Sequence, residues 1–133
     1  MKQKVFCVGM FKTGTKSFGA AMNILGYKGL YRPWFILGDN WNEQPKTWSK
    51  HFDRIRKRAE GYDAFSDAPW MFLYKQCDKW FPGSKFILTL RKDTASLVRS
   101  DQWQCRSKPA NITPSYEKFA KRYEENNKRI IEY

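Results

Sequence analysis

The chain has 133 residues, a length that suits one domain, so 1–133 is read as a single unit. Hydrophobic residues make up 41% of it and aromatics 17%, which excludes a disordered chain and leaves material for a core. The net charge of +12, from 25 Lys and Arg against 13 Asp and Glu, calls for an anionic partner or substrate without naming the anion.

In chain order, Val5 to Val8 is a short apolar run that stops at Gly9, the pattern of a buried strand. A loop containing Gly and Thr follows. Phe18, Ala21, Met22 and Leu25 then recur at helical spacing, with Gly26 as the stop. Residues 27–44 are rich in aromatics, Gly and Asn and show no period. Pro45 opens a predicted helix with Trp48, Phe52, Ile55 and Ala59 on its apolar face, and Gly61 ends it. Tyr62 to Ser66 reads as a second strand, and Pro69 to Phe81 as a helix closed by Pro82-Gly83. Lys85 to Leu90 is the clearest strand, with Arg91 at its carboxyl end. Asp93 or Thr94 caps a helix running to about Trp103. After a loop over 106–114, Ser115 starts a last helix with Tyr116, Phe119, Tyr123 and Ile130 on or near one face.

This alternation predicts an α/β domain, a parallel β-sheet flanked by helices. Ligands of such sheets bind outside the carboxyl ends of the strands, so the loops after Val8, Ser66 and Leu90 should share one edge. Cys7, Cys77 and Cys105 are odd in number, widely spaced and form no C-x-x-C pair. That excludes a disulfide scaffold and a zinc site, and fits a reducing, cytoplasmic setting with no metal. The apolar start is broken by Gly9 and Lys12 and lacks a cleavage site, so it is not read as a signal peptide. No stretch approaches the roughly 20 apolar residues of a membrane span.

Gly9-Met10-Phe11-Lys12-Thr13-Gly14-Thr15-Lys16-Ser17 joins the first strand to the first helix. Unpaired N–H groups and the positive dipole end of the helix lie there, Gly14 lets the backbone approach an anion, and Lys12 and Lys16 add charge. Thr13, Thr15 and Ser17 add hydroxyl donors. The segment nearly fits G-x-x-x-x-G-K-[ST], but Thr15 intrudes between Gly14 and Lys16. Arg91 offers a planar fork of donors suited to phosphate, and Ser100 follows nine residues later on the predicted helix.

Lys12-Thr13-Gly14-Thr15 after a strand, with Arg91 and Ser100 after a second strand, resembles the sulfotransferases that use 3′-phosphoadenosine 5′-phosphosulfate (PAPS). The resemblance is strong over 4–26 and 62–101. It implies a P-loop nucleotide-binding fold and the product 3′-phosphoadenosine 5′-phosphate (PAP). It also implies roles: Thr13, Gly14, Thr15, Lys16 and Ser17 with Lys12 on the 5′-phosphate, Lys12 on the developing charge, and Arg91 with Ser100 on the 3′-phosphate. Many members space the last pair by eight residues, where this chain has Arg99. Ser66-Asp67-Ala68-Pro69 stands where cytosolic members carry Ser-His-Leu-Pro, so Asp67 takes the place of the general base, with a helix cap before Pro69 as the other reading. His51, the only histidine, is read as a surface residue. The acceptor is expected to be a small molecule or glycan, with Tyr31, Trp34, Phe35 and Trp41 able to line its pocket or to be core.

Members also carry a further strand and a C-terminal Lys-Gly segment, a part of the family pattern that this sequence does not contain. Three other readings stay open: a P-loop nucleotide kinase or NTPase with Asp67 on Mg²⁺, an inactive PAP or PAPS binder, and a nucleic-acid-binding module, which the phosphate loop and Arg91 disfavour.

Overall fold

The computed structural model describes residues 2–31, 45–105 and 116–133. Four strands, β1 (Val5–Cys7), β2 (Gly29–Tyr31), β3 (Ala64–Ser66) and β4 (Lys85–Ile87), form one sheet in the order β2-β3-β1-β4, all parallel. The helices are α1 (Thr15–Ile24), α2 (Phe52–Glu60), α3 (Tyr74–Trp80), α4 (Thr94–Cys105) and α5 (Tyr116–Glu132). The architecture is the expected α/β one, a parallel sheet flanked by helices.

Alternation along β1 explains the layering. Val5 and Cys7 face α1, where they bury Phe18 and Met22 together with Ala64 of β3. Phe6 and Val8 face the other way, against Ile55 and Ala59 of α2 and Cys77 of α3. A strand buried on both faces reads as a continuous apolar run, which is why Val5 to Val8 was visible as one. Phe65, Phe6 and Phe86 lie in register across three strands. Phe6 stacks on Phe65 at 4.4 Å between centroids and on Phe86 at 5.5 Å. Trp70 meets the Phe65 ring edge-on at 4.8 Å. Such pairs add about 0.5–1.5 kcal/mol each beyond the area they bury.

Lys4 precedes β1 and is only 9% exposed. Its ammonium donates to the carbonyl oxygens of Ala59 at 3.0 Å, at the end of α2, and of Tyr62 at 2.5 Å, just beyond it. Phe81 and Phe65 lie beneath the same ammonium at 4.9 and 5.6 Å. Burial pushes the Lys4 pKa down, opposed by the charges of Asp63 and Glu60.

The structure shifts several element boundaries. The helix expected from Pro45 opens as a 3-10 segment, Pro45–His51, before α2. Residues 27–44 contain β2, and the remainder from 32 to 44 lies outside the described residues, with Trp34, Phe35 and Trp41, as does the loop over 106–114. The helix expected from Pro69 starts only at Tyr74. Residues 69–73 form turns instead, with the amides of Phe72 and Leu73 both reaching the Pro69 carbonyl. Those turns let consecutive side chains bury in different places, Trp70 against the sheet and Met71 against Met10, Leu97 and Tyr123. Strand pairing of β4 stops at Ile87 because its partner β1 ends at Cys7 and turns into the loop. No helix among the described residues is long and apolar enough to cross a membrane.

Replacing Lys4 by Met keeps the packing over the aromatic rings and removes the ammonium from the α2 carbonyls. Lys4→Met is expected to lower stability by about 1.5–3 kcal/mol, the range for hydrogen bonds to a charged group. Urea denaturation checks this, and an unchanged midpoint would show that the α2 carbonyls do not depend on Lys4.

Candidate functional site

The carboxyl ends of β1, β3 and β4 are neighbours in the sheet, so the loops after Val8, Ser66 and Leu90 share one edge as expected. At that edge β1 and β4 come unusually close. A Cβ placed on Gly9 would lie 1.9 Å from Thr89 Oγ1 and 2.6 Å from the Thr89 carbonyl oxygen, so only glycine fits. Thr13 then closes the loop from inside. Its hydroxyl donates to the Met10 carbonyl at 2.5 Å and sits 2.7 Å from Thr89 Oγ1. Because the Thr13 proton is committed to Met10, Thr89 must be the donor in the second bond. The Cys7 thiol, 3.5 Å from Thr89 Oγ1, then becomes the donor to Thr89. Burial raises the Cys7 pKa and outweighs the lowering effect of its contacts with Thr89 and Gly9, so the thiol keeps the proton this chain of bonds requires.

Past Thr13 the backbone turns through Gly14, at φ 97°, into α1. Gly14 is the N-cap and offers no side-chain acceptor, and the first turn carries no acidic residue. The amides of Thr15, Lys16 and Ser17 therefore have no capping side chain, and Phe18 makes the first helical bond, to the Gly14 carbonyl at 3.0 Å. Lys16 and Ser17 are exposed beside them, while Thr13 and Thr15 are buried. The donors expected from the sequence are present, with one change. The Thr13 hydroxyl braces the loop, so toward an anion Thr13 offers its backbone N–H.

Arg91 follows β4 and reaches back across the edge. Its Nε donates to the Lys12 carbonyl, and its Nη2 donates to Ser100 Oγ at 2.7 Å. The nine-residue spacing thus brings Arg91 and Ser100 together, and one guanidinium joins the phosphate loop to α4. The Arg91 amide in turn donates to the Tyr123 hydroxyl of α5 at 3.2 Å. Asp93 caps α4, accepting the Ser96 amide at 2.7 Å, which lowers its pKa.

Asp67 follows β3 directly and is 5% exposed. Ser66 Oγ donates to its carboxylate at 3.3 Å. It does not cap α3, whose N-cap is Leu73. The Asp67 main-chain carbonyl accepts the Trp70 amide at 3.0 Å, in a turn that precedes α3. Two non-glycine residues among those described have a left-handed backbone, Lys12 and Asp67, each at φ 67°. They are the same two residues that the sequence marks for proton and charge chemistry. Such conformations cost about 1–3 kcal/mol each and persist where surrounding structure enforces them. For Lys12 the enforcement is visible: Thr13 is fixed on one side and the Lys12 carbonyl is held by Arg91.

His51 stands at the junction of the 3-10 segment and α2, half-buried rather than wholly on the surface, with Nδ1 3.5 Å from Arg54 Nη2. Tyr31 belongs to β2 and packs on α1, its hydroxyl 3.1 Å from Asn23 Oδ1, so its role is structural. Sequence reasoning missed Thr89, Gly9 as a close-approach residue, and Tyr123. The one available signal was a polar Thr89 inside an otherwise apolar run.

The arrangement supplies backbone donors, Lys12, Lys16 and Arg91 for anions, and one carboxylate at the same edge. A family model described as a sulfotransferase domain, Sulfotransfer_4, matches residues 4–132. No curated protein matches the chain.

Two substitutions test the loop. Gly9→Ala forces Thr89 away and is expected to cost about 1–3 kcal/mol, as overpacking does. Lys12→Gly relieves the left-handed strain and is expected to raise stability by about 1 kcal/mol. Denaturation of both variants checks the pair, and a Lys12→Gly variant less stable than wild type would contradict the enforced geometry.

Proposed function

The chain belongs to the sulfotransferase domain family, and from that premise we propose that it transfers a sulfuryl group from PAPS to a hydroxyl or amine of a small-molecule or glycan acceptor. The observation that carries this reading is the Arg91–Ser100 pair set against the phosphate loop. It supplies a second anion site beside the first, which fits a nucleotide bearing phosphates at both its 5′ and 3′ positions. Bound PAPS would bring an activated sulfuryl group whose departure leaves charge on a phosphate oxygen.

The chain's own residues supply the rest. The amides of residues 13–17, with Thr15, Lys16 and Ser17, hold the 5′-phosphate. Arg91 and Ser100 hold the 3′-phosphate. Lys12 meets the charge that grows on the leaving oxygen, and Asp67 takes the proton from the acceptor as its oxygen or nitrogen bonds to sulfur. The left-handed backbone at both residues supports this division, since strain of that kind gathers at sites of function. These lysine, arginine and backbone donors do the work for which a nucleotide kinase uses Mg²⁺. The buried free thiols of Cys7 and Cys77 fit a reducing, cytoplasmic setting.

Calorimetry should show PAP binding more tightly than ADP without added metal, by roughly 1.5–3 kcal/mol, the range for hydrogen bonds to a charged group. Equal affinity would remove Arg91 from the site, and a requirement for Mg²⁺ would favour a nucleotide kinase. Asp67→Asn keeps the shape and tolerates the left-handed backbone but cannot accept a proton. Its PAP binding and melting temperature should match wild type while turnover falls by roughly 10²–10⁴. Wild-type turnover would show that Asp67 is not the base.

A further inference from the structure

All four strands run parallel, so the segments that enter β1, β2 and β3 share the edge opposite the phosphate loop. α1 runs back from that loop and brings its last residues to the same edge. Ile24 is 86% and Leu25 64% exposed, two adjacent aliphatic side chains standing in solvent. Their direction is fixed by the way α1 ends. The Gly26 amide returns to the Asn23 carbonyl at 3.0 Å and the Tyr27 amide to the Met22 carbonyl at 2.9 Å, with Gly26 left-handed at φ 76°. This turn folds Tyr27 inward against the cluster that holds Met22 and leaves Ile24 and Leu25 pointing out.

Cations flank this tip. The exposed Lys2 donates to the Gly26 carbonyl and lies 4.9 Å above the Tyr27 ring. Lys28 and Arg58, both exposed, lie 4.8 and 5.6 Å from the Tyr62 ring. The nearby acids are engaged within the fold, since Asp63 accepts the Lys28 amide at 3.1 Å and Glu60 pairs with Arg56 at 3.8 Å. A firmly held aliphatic pair beside cations and tyrosine rings complements a surface whose hydrocarbon lies just beneath anionic groups. A soluble acidic partner would match the cations and leave the aliphatic pair in water. We infer that this edge docks on an anionic lipid surface, with Ile24 and Leu25 entering the acyl boundary and Lys2, Lys28 and Arg58 meeting the headgroups. The phosphate loop, at the opposite edge, then faces the aqueous side and stays open to a dissolved nucleotide. The inference does not depend on the sulfotransferase reading.

The test is co-sedimentation of the full chain with lipid vesicles. Wild type should bind vesicles containing about one-third phosphatidylserine and leave those of phosphatidylcholine alone. Ile24→Ser combined with Leu25→Ser should weaken binding by about tenfold or more. Both side chains already stand in solvent, so the melting temperature should stay at the wild-type value. Lys2→Gln with Lys28→Gln should weaken binding to a similar degree. Lys92→Gln with Lys128→Gln removes the same charge beside Arg91 at the opposite edge, and should leave binding at the wild-type level. That control separates the tip from the overall charge of +12. Absence of binding to the phosphatidylserine vesicles, unchanged binding by the serine variant, or an equal loss in the two glutamine variants would each overturn the inference. Binding of soluble polyglutamate through Lys2 and Lys28, with the vesicles ignored, would assign the edge to an acidic protein instead and overturn it as well.

Discussion

Where β1 ends, Gly9 passes Thr89 so closely that a single added carbon would sit 1.9 Å from the threonine oxygen. This contact fixes the start of the phosphate loop relative to β4, whose end supplies Arg91. Thr13 depends on it, because its hydroxyl lies between the Met10 carbonyl and Thr89. Lys12 depends on Thr13 from one side and on Arg91 from the other. The two elements proposed to hold anions, 76 residues apart in sequence at Thr13 and Thr89, are thereby built as one piece.

The same rigidity explains how two unfavourable backbone conformations are tolerated. Lys12 and Asp67 end neighbouring regions of the sheet, after β1 and β3, and Lys12 is held left-handed between the braced Thr13 and the Arg91 bond to its carbonyl. The core beneath gives the support: Phe65, Phe6 and Phe86 stack in register, and Lys4 ties the end of α2 to the base of β1. Strain at the carboxyl edge is thus balanced by close packing below it. A relaxed Lys12 would remain a surface cation but would lose its fixed direction.

The loop from Gly9 to Ser17 was legible because its chemistry is local: an apolar strand, then Gly, Thr and Lys in the order an anion site needs. Arg91 was legible for the same reason, at the end of the clearest strand. Ser100 was harder, since nine residues departs from the usual spacing, yet Arg91 stands three residues before α4 and its long side chain reaches Ser100. Other features were set by distant partners and left no local trace. β2 is three residues long and is a strand because β3 lies beside it. The Thr13 hydroxyl turns inward because Thr89 is there to meet it. Lys4 reads as a surface lysine until the end of α2 and the turn after it place the carbonyls of Ala59, Glu60 and Tyr62 around its ammonium. Residues 69–73 lost their helix to the competing burial of Trp70 and Met71.

In the proposed function the loop from Gly9 to Ser17 and Arg91 act as one nucleotide-binding unit. The most direct test is a ¹H–¹⁵N spectrum of the protein followed through titration with PAP. The amides of Thr13 to Ser17 and the Arg91 side-chain Nε–H should shift together, with a single saturation curve. Shifts confined to α2 or α5, or an Arg91 signal that does not move while the loop amides do, would contradict it.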